Sequence, residues 1–351
     1  MTRNMRLLAS ASVLAATAVA ASPAFAAGTT AGTSVINTVT LDYKVGGIDQ
    51  NQVTATDSFK VDRKVNLTVA EVGTITTTVT PGQAGAVTAF TVSNASNAPL
   101  DFVLSASQPN GGSAPHTGTD NYQVSNLKVY ADTNTNGSYD PGTDQETGYL
   151  DQVLADTSRT VFIVADVPLG RATGDVAVVK LSATAAEATA AGSLGATVTQ
   201  STGANTAEVD TVFADAATGG NVARDGIHFA EDDYTIKAAA LTATKTSRVI
   251  SDPFNGTTDP KMIPGAVVEY CIAVANGANS ATASGVNISD EVPVQTTYDA
   301  AFGIKLNGTV TGGVCTGGAS GGSYASGIVS GSLTDIAAGE TRTLIFRVSV
   351  N

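Results

Sequence analysis

The run Asp132-Thr133-Asn134-Thr135-Asn136-Gly137-Ser138-Tyr139-Asp140 places side-chain oxygens at alternate positions around a glycine, the spacing of the first nine places of a calcium loop. A hard cation favours such an all-oxygen cage. An EF-hand needs an acid at the twelfth position, where Thr143 stands, and Asp144 follows one place later. The better reading is therefore a calcium-supported turn between strands, with Asp132, Asn134, Asn136, Ser138, Asp140 and Asp144 as ligands. Two Asn ligands keep the local charge low, so the expected affinity lies in the roughly 0.1 to 1 mM range of extracellular modules. The same residue types also write a plain Asn/Asp/Gly turn that binds nothing. Cys271 and Cys315 are the only cysteines. An even pair in a chain with an export signal predicts a disulfide.

Other groups carry less. Asp210 with Asp215, or Glu231 with Asp232 and Asp233, offer carboxylate pairs of the kind glycoside chemistry uses. They read as solvated surface acids, and no catalytic residue is assigned. His116, beside Pro115, and His228, after Gly226, read as loop residues. Two His and two Cys cannot assemble a multi-His or Cys-rich metal centre within one copy. With 18 Lys+Arg against 31 Asp+Glu the net charge is −13, and no stretch is basic enough to neutralise a phosphate backbone. Nucleic acid is excluded as a partner on that ground.

The elements that position these groups begin after residues 1–26. That segment has Arg3 and Arg6, an apolar run from Leu7 to Ala21 and Ala24-Phe25-Ala26, the pattern of a Sec-type signal peptide. Its apolar run is too short for a bilayer span, and no later run approaches that length. The expected location is outside the cytoplasm: extracellular, cell-surface or periplasmic. Residues 27–60 read as a hairpin segment, with Val35, Val39, Leu41, Tyr43 and Val45 on one face, Gly46-Gly47 at the turn, and Val53, Phe59 and Val61 returning. Two fates are open to it: completing its own domain's sheet, which is the expectation, or adding to the edge of a neighbouring molecule.

An internal repeat organises the rest. LDQVLADTSRTVFIV, from Leu150, and LTDIAAGETRTLIFR, from Leu333, align without a gap at an offset of 183 residues. Pro81-Gly82 and Pro264-Gly265 share that offset, and Phe90, Val92 and Asn94 match Ile272, Val274 and Asn276 after one deletion. Alternating apolar residues between Gly, Pro, Asn and Ser turns predict an all-β fold, tandem immunoglobulin-like β-sandwiches behind the N-terminal hairpin. The first domain is expected over 61–184 and the second over 236–351. The Ala/Gly/Thr-rich tract 185–235 is expected to be an insertion or linker.

The stretch from Pro264 to Asp299 resembles the bacterial repeat called domain of unknown function eleven. The matching features are Pro264-Gly265, the Tyr270 strand, Asn276, Asp290 with Pro293, and the closing Ala338-Gly339-Glu340 before Thr343 to Val348. The first copy is looser and lacks the Asp-x-x-Pro end. The resemblance implies an exported, immunoglobulin-like, cell-surface protein and supplies no catalytic residues. The expected function is a non-catalytic structural or adhesive role at the bacterial surface or in the extracellular matrix. The expected partners are further copies, other surface proteins or glycans. Two rival expectations are a carbohydrate- or protein-binding module and a filament subunit that assembles by strand addition. Exposed Tyr122, Tyr130, Tyr139 and Tyr149 would mark the binding module, although Tyr on strands more often packs.

Overall fold

The computed structural model describes residues 28–351, so the expected signal peptide lies outside the described residues. Every regular element among them is a strand. The alternation read from the sequence is plain in Ala86–Asn94, where Ala86, Thr88, Phe90, Val92 and Asn94 are buried and the residues between them are half-buried. One face of that strand meets a core and the other meets a loop layer or solvent, as the pleat requires.

The first sandwich packs two sheets. One has the order Gln145–Glu146, Ser125–Ala131, Thr157–Asp166, Ala86–Asn94, Leu67–Glu71. The other runs Tyr149–Val153, Leu100–Ser107, Val176–Ala188, Ile227–Ile236, Thr77–Val79. Between them Phe90, Phe102, Ile163, Leu181, Tyr234 and Ile236 are almost wholly buried. Apolar side chains of this size contribute about 1.5–3 kcal/mol each on full burial.

Residues 185–235 are neither insertion nor linker, because the first sandwich needs them. Ile227–Ile236 pairs along its whole useful length with Val176–Ala188, from Val176↔Thr235 to Thr184↔Ile227. Thr211–Phe213 runs parallel to Arg63–Val65, and the Arg63 guanidinium binds both the Glu187 carboxylate and the Thr211 hydroxyl. The strand escaped the hydrophobic pattern because three of its buried residues are His228, Asp232 and Asp233. The second domain correspondingly starts later than expected, at the strand Leu241–Ser251: Ile236 belongs to the first core, and the Lys237 amide bonds to the Val79 carbonyl.

The second sandwich has a sheet ordered Leu241–Ser251, Val267–Asn276, Thr341–Val350, Ile304–Thr311, Val314–Thr316, facing a shorter one ordered Asn287–Glu291, Ile328–Ser332, Ser323–Ala325. Its separate core holds Val268, Ile272, Leu306, Ile336, Leu344 and Phe346.

The repeat is physical. In the first sandwich the Asn94 side-chain amide donates to the carbonyls of Val153 and Ala98, and in the second the Asn276 amide donates to Ile336 and Ala281. Val153 and Ile336 are related by the sequence offset, as are Asp156 and Gly339, whose amides donate to the carbonyls of Asn94 and Asn276. The bridge Leu100↔Val153 recurs as Ala283↔Ile336. Each buried Asn thus ties the end of one sheet to the segment bridged across from it in the facing layer.

The N-terminal hairpin behaves otherwise than expected. Ser34–Leu41 and Val53–Lys60 pair in register from Ser34↔Lys60 to Leu41↔Val53 and form a separate two-stranded sheet joined to no other. Gly46 and Gly47 have φ of 59° and 86°, the left-handed pair that a tight hairpin turn demands. All residues of both strands are exposed.

Candidate functional site

Three places could carry function. The first is a buried acidic cluster. His116, on the loop after Leu100–Ser107, lies with Nε2 3.2 Å from Glu71 Oε1 and Nδ1 3.1 Å from Asp233 Oδ2. Asp232 Oδ1 is 3.8 Å from the same Nδ1. Glu71 ends a strand of one sheet and Asp232 and Asp233 lie mid-strand in the other, so the imidazole braces the sandwich across its layers. Burial pushes the His116 pKa down, but the Asp233 hydrogen bond and the charges of Glu71, Asp233 and Asp232 outweigh it and leave the pKa raised. Burial, with the neighbouring acids, pushes Asp232 up to about 7. One ligand atom each from Glu71, His116 and Asp232 lie within 4.8 Å of one another, a set that could hold a divalent cation. Sequence reasoning placed Asp232 and Asp233 at the surface and His116 in an idle loop. No local signal joins residues 117 apart in the chain.

Asp210 and Asp215 support loops. Asp215 accepts from the amides of Asp225 and Gly226, and Asp210 from that of Thr206. His228 is also spent structurally: its Nδ1 accepts from the Val69 amide at 3.1 Å and its Nε2 lies 3.2 Å from the Thr218 hydroxyl.

The second place is the loop from Asp132 to Asp144, which joins two strands of the first sandwich. The six expected ligands share this loop, and its carboxylates turn inward. Asp132 Oδ2 accepts from the Gly137 amide, Asp140 Oδ2 from the side chains of Asn134 and Asn136, and Asp144 from the amides of Thr133 and Asp140. Ser138 is held through its amide, which donates to Asn136 Oδ1. The amides of Asn134 and Asn136 hold Asp140 below the usual carboxylate range. Asp132 and Asp144 are buried, and Asp132 Oδ1 has no hydrogen-bond partner, an orphaned acceptor that a cation would satisfy. The nearby tyrosines pack: Tyr139 stands edge-on to Tyr130 and Phe162, with ring centroids 5.0 and 5.9 Å away, and Tyr122 is buried. The disulfide forms as expected, Cys271 to Cys315 with Cα atoms 5.7 Å apart. It ties Val267–Asn276 to Val314–Thr316, beside the tight Gly312-Gly313 turn.

The third place is the hairpin. The pairing register puts Val35 beside Phe59, Asn37 beside Asp57, Val39 beside Ala55 and Leu41 beside Val53 on one face. The opposite face carries Ser34, Thr38, Thr40, Thr54, Thr56 and Ser58 together with Ile36 and Lys60. Val39, Leu41, Val53 and Phe59 are 63%, 56%, 50% and 61% exposed. A two-stranded ribbon is marginal in water by itself, and this one leaves the apolar residues of one face uncovered.

No protein-family model matches this chain, nor does any curated protein. Among solved structures it is similar to the C-terminal domain of the AgI/II polypeptide BspA of Streptococcus agalactiae, at 9% identity over 81% of this chain and 91% of that one, with a TM-score of 0.35. It is also similar to the collagen adhesin of S. aureus, at 11% identity over 83% and 84% of the two chains, with a TM-score of 0.21. At such scores the overlap carries nothing about function. The immunoglobulin-like sandwich architecture stands on this chain's own strand pairing and two cores. Among the described residues no helix is long and apolar enough to cross a membrane.

Proposed function

We propose that this chain is an exported, non-catalytic structural or adhesive component of the bacterial surface or extracellular matrix, and that it associates with further copies of itself through the N-terminal hairpin. The observation that carries this reading is the hairpin's uncovered apolar face. Soluble proteins rarely leave a contiguous apolar patch uncovered, and here Val35, Val39, Leu41, Val53, Ala55 and Phe59 share a face interrupted by the pair Asn37 and Asp57, while the alternate face carries Thr and Ser with Ile36 and Lys60. The resemblance of the second sandwich to the domain-of-unknown-function-eleven repeat supports the surface location. The carboxylates are engaged in loop support or buried against His116, which favours a scaffold over a catalyst.

Calcium acts in this proposal as a brace for the Asp132–Asp144 loop, bound weakly by Asp132, Asn134, Asn136, Ser138, Asp140 and Asp144. The orphaned Asp132 Oδ1 supports it. The test of self-association is light scattering on a sizing column, over a range of concentrations, with calcium and with chelator. Wild type should form concentration-dependent assemblies. Val39→Lys with Leu41→Lys should abolish them, and Thr40→Lys, on the other face, should not. A wild-type chain that stays monomeric throughout would sink the reading.

A further inference from the structure

The groups around His116 are held in a way that a structural brace does not need. His116 sits on a small loop closed by the bridge Ser113↔Thr119. The buried Asp120 anchors that loop by accepting from the amides of Gly111 and Val178. In the facing sheet Thr77–Val79 pairs only with Tyr234–Ile236, so Asp232 and Asp233 lie just past that pairing, and the His116 loop meets them there. Both the His116 amide and its Nδ1 reach Asp233 Oδ2, at 3.0 and 3.1 Å.

These two bonds set the ring. A carboxylate oxygen that already takes the amide is an acceptor, so Nδ1 donates to it, and in the neutral imidazole Nε2 is then a bare lone pair. Nε2 stands 3.2 Å from Glu71 Oε1, a buried oxygen without a hydrogen-bond partner. The two atoms are near enough to share a proton and make no hydrogen bond. In a hydrogen bond the N–H points at the oxygen, whereas at a metal both lone pairs point at an ion that lies off the line joining them. Asp233 is wholly buried, and its second oxygen, Oδ1, is also without a partner. Among the described residues no Lys or Arg pairs with Glu71, Asp232 or Asp233, so three carboxylates share one imidazole. Buried charge is otherwise paired or bound to a metal.

We propose that Glu71, His116 through Nε2, and Asp232 hold a divalent transition-metal ion of the zinc class, with Asp233 as the positioning residue behind the ring. Two atoms bound to one tetrahedral zinc at about 2.0–2.1 Å stand roughly 3.3 Å apart, close to the Nε2 to Oε1 spacing of 3.2 Å. The donor atoms of all three residues lie within 4.8 Å of one another, and Asp232 closes on the ion by a small side-chain rotation. A carboxylate that accepts from the far nitrogen of a ligating imidazole fixes its tautomer and raises its basicity, which is the place Asp233 occupies. An imidazole among carboxylates selects zinc-class ions, while calcium and magnesium favour oxygen alone. A cleft of about 400 Å³, lined by Glu71, Ser113, Pro115, Phe229 and Glu231, reaches the cluster at Glu71 and gives the ion its way in. The site is separate from the Asp132–Asp144 loop, takes a different class of ion and stands whether or not the hairpin associates. Its ion joins Glu71 of one sheet to Asp232 of the other, a clamp across the layers of the first sandwich.

The probe is zinc alone, added to the untagged full chain, whose two histidines make the spectra simple. Equilibrium dialysis should find one zinc per chain that excess calcium does not displace and that Asp132→Asn with Asp144→Asn leaves in place. Glu71→Gln should weaken zinc binding at least about tenfold, and Asp233→Asn by about 10–100-fold. A readout on wild type covers the case in which a variant fails to fold. Proton–nitrogen correlation spectra of the imidazoles should show zinc moving the Nε2 resonance of His116, with its Nδ1 proton retained and the His228 ring unmoved. Zinc that leaves both rings unmoved, that Glu71→Gln binds as tightly as wild type, or that is lost with the Asp132–Asp144 loop acids would overturn the site.

Discussion

Replacing Cys271 and Cys315 together by Ala should lower the unfolding temperature of the second sandwich by roughly 15 °C and leave that of the first unchanged. The bridge closes a loop with a sequence separation of 44, and the chain-entropy relation then gives a stabilisation of about 4 kcal/mol from the restricted unfolded state. Over the roughly 110 residues of that domain an unfolding entropy of about 2.1 cal/mol/K per residue sums to roughly 230 cal/mol/K, and dividing the one by the other gives the shift. Ala suits the test because Cys315 is buried and a Ser hydroxyl there would add an unpaired donor. Each sandwich has its own core, so differential scanning calorimetry should resolve two transitions. The shift belongs to the one that Asn276→Ala also moves. A double variant whose transitions both stay within about 4 °C of wild type would refute the entropy argument, and movement of the first transition would refute the independence of the cores.

Asn94→Ala and Asn276→Ala should each destabilise their own sandwich by about 2–4 kcal/mol, since each strands buried carbonyls that have no other side-chain donor; equal effects of both variants on both transitions would contradict the repeat's shared role. Calcium at about 10 mM should stabilise the first sandwich by about 1.5–2.5 kcal/mol at the proposed affinity, measured as a transition shift against chelator and lost in Asp132→Asn with Asp144→Asn. A shift retained in that variant would place the ion elsewhere. Burial holds the His228 pKa below its ordinary 6.5, so the unfolded chain binds the extra proton first as pH falls. Its contribution is complete above about 6.5 and is lost as pH drops toward the folded value. The stability gap between wild type and His228→Gln should therefore narrow from pH 8 to pH 5 in urea titrations; a gap that is constant with pH would show that the ring does not titrate on unfolding.

Period-two alternation revealed strands such as Ala86–Asn94 and Val267–Asn276, because a strand half-buried against a core has no other way to be written. The offset of the two Arg-Thr segments revealed the repeat, and the cysteine pair its disulfide. Ile227–Ile236 was illegible for a physical reason: it buries His228, Asp232 and Asp233 by pairing them with distant groups, so its pattern looks like a polar loop. The His116 cluster was hidden likewise, since its members come from three separate elements.

The parallel pairing of Thr77–Val79 with the end of Ile227–Ile236 bears on how the chain matures. Val79 meets Ile236, so a nascent chain must be complete to that point before the second sheet of the first sandwich can close. Such distant contacts slow folding, because loop closure comes before the reward. The second sandwich draws its contacts from a stretch of little more than a hundred residues. A chain truncated near 184 therefore leaves Val176–Ala188 without its neighbour Ile227–Ile236, and the first sandwich cannot close until the polar-looking stretch that follows has been added.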